Sequence, residues 1–293
     1  MSASALKFQI GARTLAEIPR RLRRIALSLD QALTGVPPIL PALDPADDGY
    51  LVTSLPQDAA LAWRGLAFAR QHYIRYYVDL SAGEAAWRAG LSGQARATLN
   101  RKTRKLAEAG DGLLDVRGYR TPAELAIFHP LARAVSATTY QERLMQSGLP
   151  ADAAHGHALA AADGVRAWLL FLRDAPIAYL WCGADGDTLR YDHVGHDPAY
   201  GALSPGNVLL GAALASLFGD RFARFDFTEG EGQHKRALAS GGLACRDLLL
   251  LRPTLANRAS VAAVGGFDAA MRVAARAARA PALAGIARRI RRA

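Results

Sequence analysis

The order of apolar and polar positions along the chain predicts alternating helices and short strands. Residues 15–33 are expected as a basic helical stretch. The run Val36-Pro37-Pro38-Ile39-Leu40-Pro41 cannot continue it, because proline lacks a backbone donor and clashes with the preceding turn. Strands are predicted over residues 50–54 and 72–80 (HYIRYYVDL), with a helix over 58–70 between them. Residues 84–109 read as one helix closed by Gly110, crowded with Arg96, Arg101, Lys102, Arg104 and Lys105. A strand over 113–117 and a helix opening on the capping box Thr121-Pro122-Ala123-Glu124 follow.

After a small-residue loop over 149–164 come three strand signals, 165–173, 176–183 and 188–194. Turn-like links join them, so they predict an antiparallel meander. Ser204-Pro205-Gly206 then opens an apolar helix over 207–218. A strand over 221–227, a short helix near 233–239 and a last strand over 247–251 complete the pattern. Residues 259–293 are rich in alanine and arginine and helix-prone, with expected breaks at Gly265-Gly266 and Pro281. Arg272, Arg276 and Arg279 share one face, and Leu283, Ile286 and Ile290 another. The expected fold class is mixed α/β, a central, mostly antiparallel sheet flanked by helices. The expected domains are a small N-terminal α/β subdomain (1–90), a main domain (91–253) and a basic helical tail (254–293).

Composition narrows the class. With 293 residues, 51% apolar and 21% charged, the chain can bury a large core, which argues against wholesale disorder. Two cysteines, Cys182 and Cys245, exclude a disulfide framework and a four-cysteine zinc site, and a cytoplasmic location is expected. The longest strongly apolar run, residues 208–218, is well short of the roughly 20 residues a spanning helix needs. Net charge is +10, and from Arg252 onward nine arginines stand against one acid, Asp268. Such a tail, basic on one side and apolar on the other, suits contact with an anionic membrane surface. A nucleic-acid module is not evident, since no aromatic residues interleave with the arginines.

The chemistry-bearing residues gather downstream. A helix opening at Gly206 or Asn207 presents unpaired N–H groups and a positive dipole end, and a glycine lets phosphates come close. The stretch Asp226-Phe227-Thr228-Glu229-Gly230-Glu231-Gly232-Gln233-His234-Lys235 sits at a strand end, where sites gather in α/β sheets. Glu229, Glu231 or His234 could serve as a base, and Lys235 could hold an anionic group or pair with Asp226 to fix the loop. Tyr191 and His193, two apart on a strand, are expected on one face. His155, His157, His193 and His196 lack metal-ligand spacing, so no metal site is expected and the first two are read as exposed loop histidines.

The segment SPGNVLLGAALASLFGDRFARFDFTEGEGQHK resembles the C-terminal signature of the FemAB-type and CelD-type branch of GNAT acyltransferases, with His234 where a tyrosine commonly precedes the lysine. LSGQARATLNRKTRKLAEAG resembles that branch's first helix. The resemblance implies a GNAT fold that binds acyl-CoA as a co-substrate, with Ser204, Gly206, Asn207 and Lys235 on the coenzyme. Glu229, Glu231, His234, Tyr191 and His193 are then the candidates around the acyl group. It further implies direct attack by an amine acceptor without a covalent enzyme intermediate; the basic amphipathic tail points to a lipid as that acceptor, and an envelope-polysaccharide precursor is another candidate. Alternatives are aminoacyl transfer from tRNA, and a scaffold that binds a partner or a membrane surface without catalysis.

Overall fold

A computed structural model describes residues 5–10, 13–139, 142, 148–230 and 232–279. The chain divides into two compact units, each discontinuous in sequence: residues 1–27, 36–71 and 246–293 form the first, and 28–35 with 72–245 the second.

In the first unit, β1 (Ala5–Ile10) and β2 (Arg13–Pro19) form an antiparallel hairpin, and β3 (Leu22–Ala26) runs parallel to β4 (Gly49–Pro56). The basic helix expected over 15–33 is therefore two strands, followed by the single turn α1 (Leu29–Leu33), which Ser28 and Gln31 cap and which belongs to the second unit. Along β3 the half-buried Arg23 and Ile25 alternate with the exposed Arg24 and Ala26, and pairing with β4 overrides helical propensity. The helix expected over 58–70 is absent. β5 (Leu66–Asp79) begins there, and Gly65 lies so close to the Leu251 carbonyl that any side chain would collide with it.

The long C-terminal helix α8 (Leu255–Arg279) runs through Gly265-Gly266 without a break and packs on β1, where Phe8 and Phe267 meet edge to face at 5.3 Å. It thus groups with the N-terminal strands around Leu6, Leu22, Leu249, Leu251 and Val264. Pro281, Leu283, Ile286 and Ile290 lie outside the described residues, as do the side chains of Arg272, Arg276 and Arg279. No helix among the described residues is long and apolar enough to cross a membrane.

The second unit carries the larger sheet. From β5 it runs through β10 (Arg224–Asp226), β9 (Thr188–His196), β8 (Ala175–Asp185) and β7 (Val165–Leu172) to β6 (Asp115–Tyr119). The residues of β11 (Gly241–Leu251) that belong to this unit lie on the other side of β5. The β7–β8–β9 meander is antiparallel as its turns predict, and β9 and β10 run parallel.

Alternation along β7 and β8 separates two cores. Trp168, Leu170, Ala178, Leu180 and Cys182 face α3 (Gly93–Ala109) and α6 (Pro205–Leu217). Ala167, Leu169, Phe171 and Tyr179 face α4 (Pro122–Thr138) and α5 (Ala154–Ala161), a helix where a loop was expected. The helix expected over 84–109 is two, because Leu91 is extended and Ser92 recaps α3 after α2 (Glu84–Gly90). The last helix, α7 (Gln233–Leu238), follows β10.

One buried ion pair fixes the sheet beneath the candidate site. Arg75 on β5 grips both carboxylate oxygens of Asp226 on β10, at 3.2 and 2.6 Å, with Arg75 5% and Asp226 0% exposed. Breaking such a pair strands a charge, whereas replacing both partners removes the desolvation penalty too. Arg75→Met should therefore cost about 3–5 kcal/mol of unfolding free energy in urea titrations, and Arg75→Met with Asp226→Leu markedly less.

Candidate active site

β9 and β10 pair over three residues only. Their parallel ladder ends at Arg190 and Asp226, after which β9 continues to His196 and the β10 chain turns away. The turn is tightly built: Thr228 and Gly230 both take positive φ, and Thr228 N–H donates to Asp226 Oδ1 at 2.8 Å. Lys235 then reaches back, its Nζ donating to the carbonyls of Phe227 at 2.8 Å and Glu229 at 2.9 Å. The expected Asp226–Lys235 pairing is thus replaced by Arg75–Asp226, with Lys235 tying the loop through carbonyls. Burial, opposed by the charges of Asp226 and Glu229, pulls the Lys235 ammonium below the usual lysine range.

The start of α6 is unusual. Ser204 adopts the left-handed conformation, φ 55° and ψ 47°, and its side chain caps nothing. Its carbonyl accepts from Asn207 N–H at 3.1 Å and Val208 N–H at 3.3 Å, so Asn207 is not the free donor expected of it. Gly206 N–H makes no such bond among the described residues. A side chain at Gly206 would only touch His196 at an ordinary 3.7 Å, so packing does not demand a glycine there. Lys105 of α3 secures the preceding turn through the Ala202 carbonyl at 3.0 Å.

Asn207 and His234 line one cleft of about 780 Å³ with α3 and the end of α2. Lys102 and Arg236 bring positive charge to it, no carboxylate lines it, and Leu91, Leu99 and Leu238 give it an apolar wall. Gly232 makes room for the imidazole, since a Cβ there would come within 2.9 Å of its Cε1. His234 Nε2 is buried and unpartnered among the described residues. Burial, and then the charges of Lys235 and Lys102, lower its pKa, which favours the neutral imidazole.

Tyr191 stands behind, its ring 6.3 Å from that of His234 and 5.9 Å from that of Phe227, and burial raises its phenol well above the usual range. Glu229 is exposed and does not line the cleft, and Glu231 lies outside the described residues.

His193 is elsewhere. Along β9 Tyr191 pairs with Cys182 and His193 with Trp181, so Asp192 is an extra residue, a β-bulge, in the ladder. Cys182 and Trp181 face opposite sides, and Tyr191 and His193 follow them onto opposite faces rather than sharing one. His157, read from the sequence as an exposed loop residue, is half-buried on α5.

Residues 93–236, which supply most of the cleft lining, match the family described as the acetyltransferase (GNAT) domain. They belong to the GNAT acyltransferase superfamily. In fold, the chain is similar to the C-terminal domain of a protein assigned as a lysylphosphatidylglycerol synthetase from Agrobacterium fabrum. The TM-score is 0.52 and the identity 12%, over 75% of this chain and 72% of that one. L-PGS from Bacillus licheniformis aligns at TM-score 0.47 and 12% identity over 73% and 71% of the two chains, and FemX at 0.40 and 9% over 61% of each. No curated protein matches in sequence. The GNAT domain has the expected mixed, mostly antiparallel sheet flanked by helices.

The two GNAT-domain histidines with lowered pKa bind protons less readily folded than unfolded, so protonating them opposes folding. Stability should rise with pH up to about 6.5, the ordinary histidine value, and His193→Phe with His234→Phe should flatten that rise. NMR titration should place both imidazoles below 6.5.

Proposed function

We propose that the GNAT domain transfers an acyl group from an acyl-CoA to an amine. The observation that carries this is the cleft at the uncapped start of α6, which holds Lys102 and Arg236, no carboxylate, and an apolar wall. A coenzyme A ester is complementary to it, being a polyanion at one end and an apolar arm at the other. The N-terminus of α6, with Gly206 N–H and the neighbouring Ser204 and Asn207, would receive phosphate oxygens. Lys102 and Arg236 would add charge where few anions compete.

The amine nitrogen attacks the thioester carbonyl carbon, the carbon–sulfur bond breaks, and the thiolate leaves with a proton. Charge develops on the carbonyl oxygen, and a donor aimed there is worth more than one that binds the ground state. His234 suits this role: its Nε2 is unpartnered, and the lowered pKa favours a neutral imidazole that can donate without carrying charge. Lys235 holds the loop in place. Glu229, exposed and outside the cleft lining, is less suited to take a proton.

Calorimetry with acetyl-CoA and palmitoyl-CoA tests the donor. Binding of at least one is expected, weakened about tenfold or more by Lys102→Glu with Arg236→Glu. If neither binds to the folded protein, the proposal fails. Where transfer is measured, His234→Phe should lower kcat by about 10²–10³ with little effect on coenzyme affinity, and His234→Gln should recover part of it.

A further inference from the structure

The GNAT domain has a second depression, on the sheet face opposite the cleft. It is a pocket of about 470 Å³ bounded by α4, the residues before α5, α5 itself, β8 and β9. Size and lining resemble a small-molecule site, with an apolar body and a few convergent polar groups. Phe128, Leu149 and the Trp181 indole supply the body, and Trp181 lies 5.7 Å from the His193 ring.

The polar end is the bulge itself. Asp192, the extra residue of β9, has a side chain only 15% exposed, held by Gly183 N–H at 3.1 Å and Arg190 at 2.7 Å. His157 Nε2 is buried there without a partner among the described residues.

The two depressions differ in charge. The cleft has two cations and no acid, whereas the pocket has two carboxylates, Asp152 and Asp192, against one guanidinium, Arg190. An anion suits the first, and a cation beside an aromatic wall the second.

We propose that this pocket takes the acceptor as a primary ammonium with an aromatic or alkyl body, the charge at Asp192 and the body against Trp181 and Phe128. This rests on the acyl-transfer function above and adds which amines it uses and from which side they enter. β9 connects the two depressions: Asp192 and His193 line the pocket, while Tyr191, on the opposite face, packs against His234 of the cleft. Beyond Arg190 its edge is no longer paired with β10, which is where nitrogen and thioester can meet.

His193 lines the pocket, and burial lowers its pKa against the pull of Asp192, so the imidazole is suited to accept a proton. The ammonium loses two protons in all. One goes to His193 and on to solvent, and the other leaves on the coenzyme thiol as the carbon–nitrogen bond forms and the carbon–sulfur bond breaks.

Calorimetry on the full chain with phenethylamine, 2-phenylethanol and 3-phenylpropanoate tests the pocket directly. Phenethylamine should bind at least about tenfold more tightly than the neutral and anionic analogues. Asp192→Asn should abolish that preference. Gly156→Leu, which fills the pocket from α5 without touching a charge, should lose binding while acetyl-CoA affinity stays as in the wild type. In NMR the His193 imidazole should move on adding phenethylamine and the His234 imidazole should not. Equal affinity for the three probes, undiminished amine binding in Gly156→Leu, or no binding at millimolar concentration would each overturn the assignment. Amine binding without acyl-CoA binding would leave the pocket standing and sink the donor proposal instead.

Discussion

A single inserted residue in β9 organises the candidate chemistry. In a regular strand, residues two apart share a face, and Tyr191 and His193 would crowd one side of the sheet. Because Asp192 bulges out of the ladder with β8, the strand presents Tyr191 on one face, beside His234, and His193 on the other, toward the pocket. The bulged residue is itself polar, and its carboxylate is held by Gly183 and Arg190 rather than left to solvent. Placed immediately after the last parallel pairing with β10, the bulge gives each face of the sheet its own set of ionisable groups.

The rest of the second unit keeps that strand in position. Arg75 and Asp226 lock β5 to β10 beneath the site, and Asp226 also receives Thr228 N–H at the first turn of the loop. Lys235 closes the loop from its far end through two carbonyls, and Gly232 leaves the space that His234 occupies. Charges buried or tied in this way serve geometry first. The charges left facing solvent in the cleft, Lys102 and Arg236, are of one sign, which is the condition for a field that favours an anionic ligand.

Much of this second unit was legible in the sequence. Turn residues between strongly apolar runs marked the meander, Thr121 and Glu124 marked the start of α4, and Ser204-Pro205-Gly206 marked the start of α6. The first unit was less legible. Residues 15–26 carry arginines and leucines that suit a helix, and only the pairing of β1 with β2 and of β3 with β4 makes them strands.

Among the candidate residues, His234 and Asn207 line one cleft and Tyr191 packs beside His234, while His193 lies on the other face, because a bulge depends on the register of a partner strand that local pattern does not encode. Arg75 has no signature in the sequence for a related reason. A single arginine in an aromatic strand gives no local sign that an aspartate 151 positions later will receive it.

The central claim is that the start of α6 receives the phosphates of an acyl-CoA. The most direct measurement is the backbone amide spectrum of the full chain during titration with coenzyme A, followed at Gly206 and Asn207. Gly206 N–H, which has no helix-start partner among the described residues, is predicted to shift strongly downfield as it gains an oxygen acceptor, together with a shift of the His234 imidazole. Coenzyme binding that leaves the Gly206 amide where it was would contradict it.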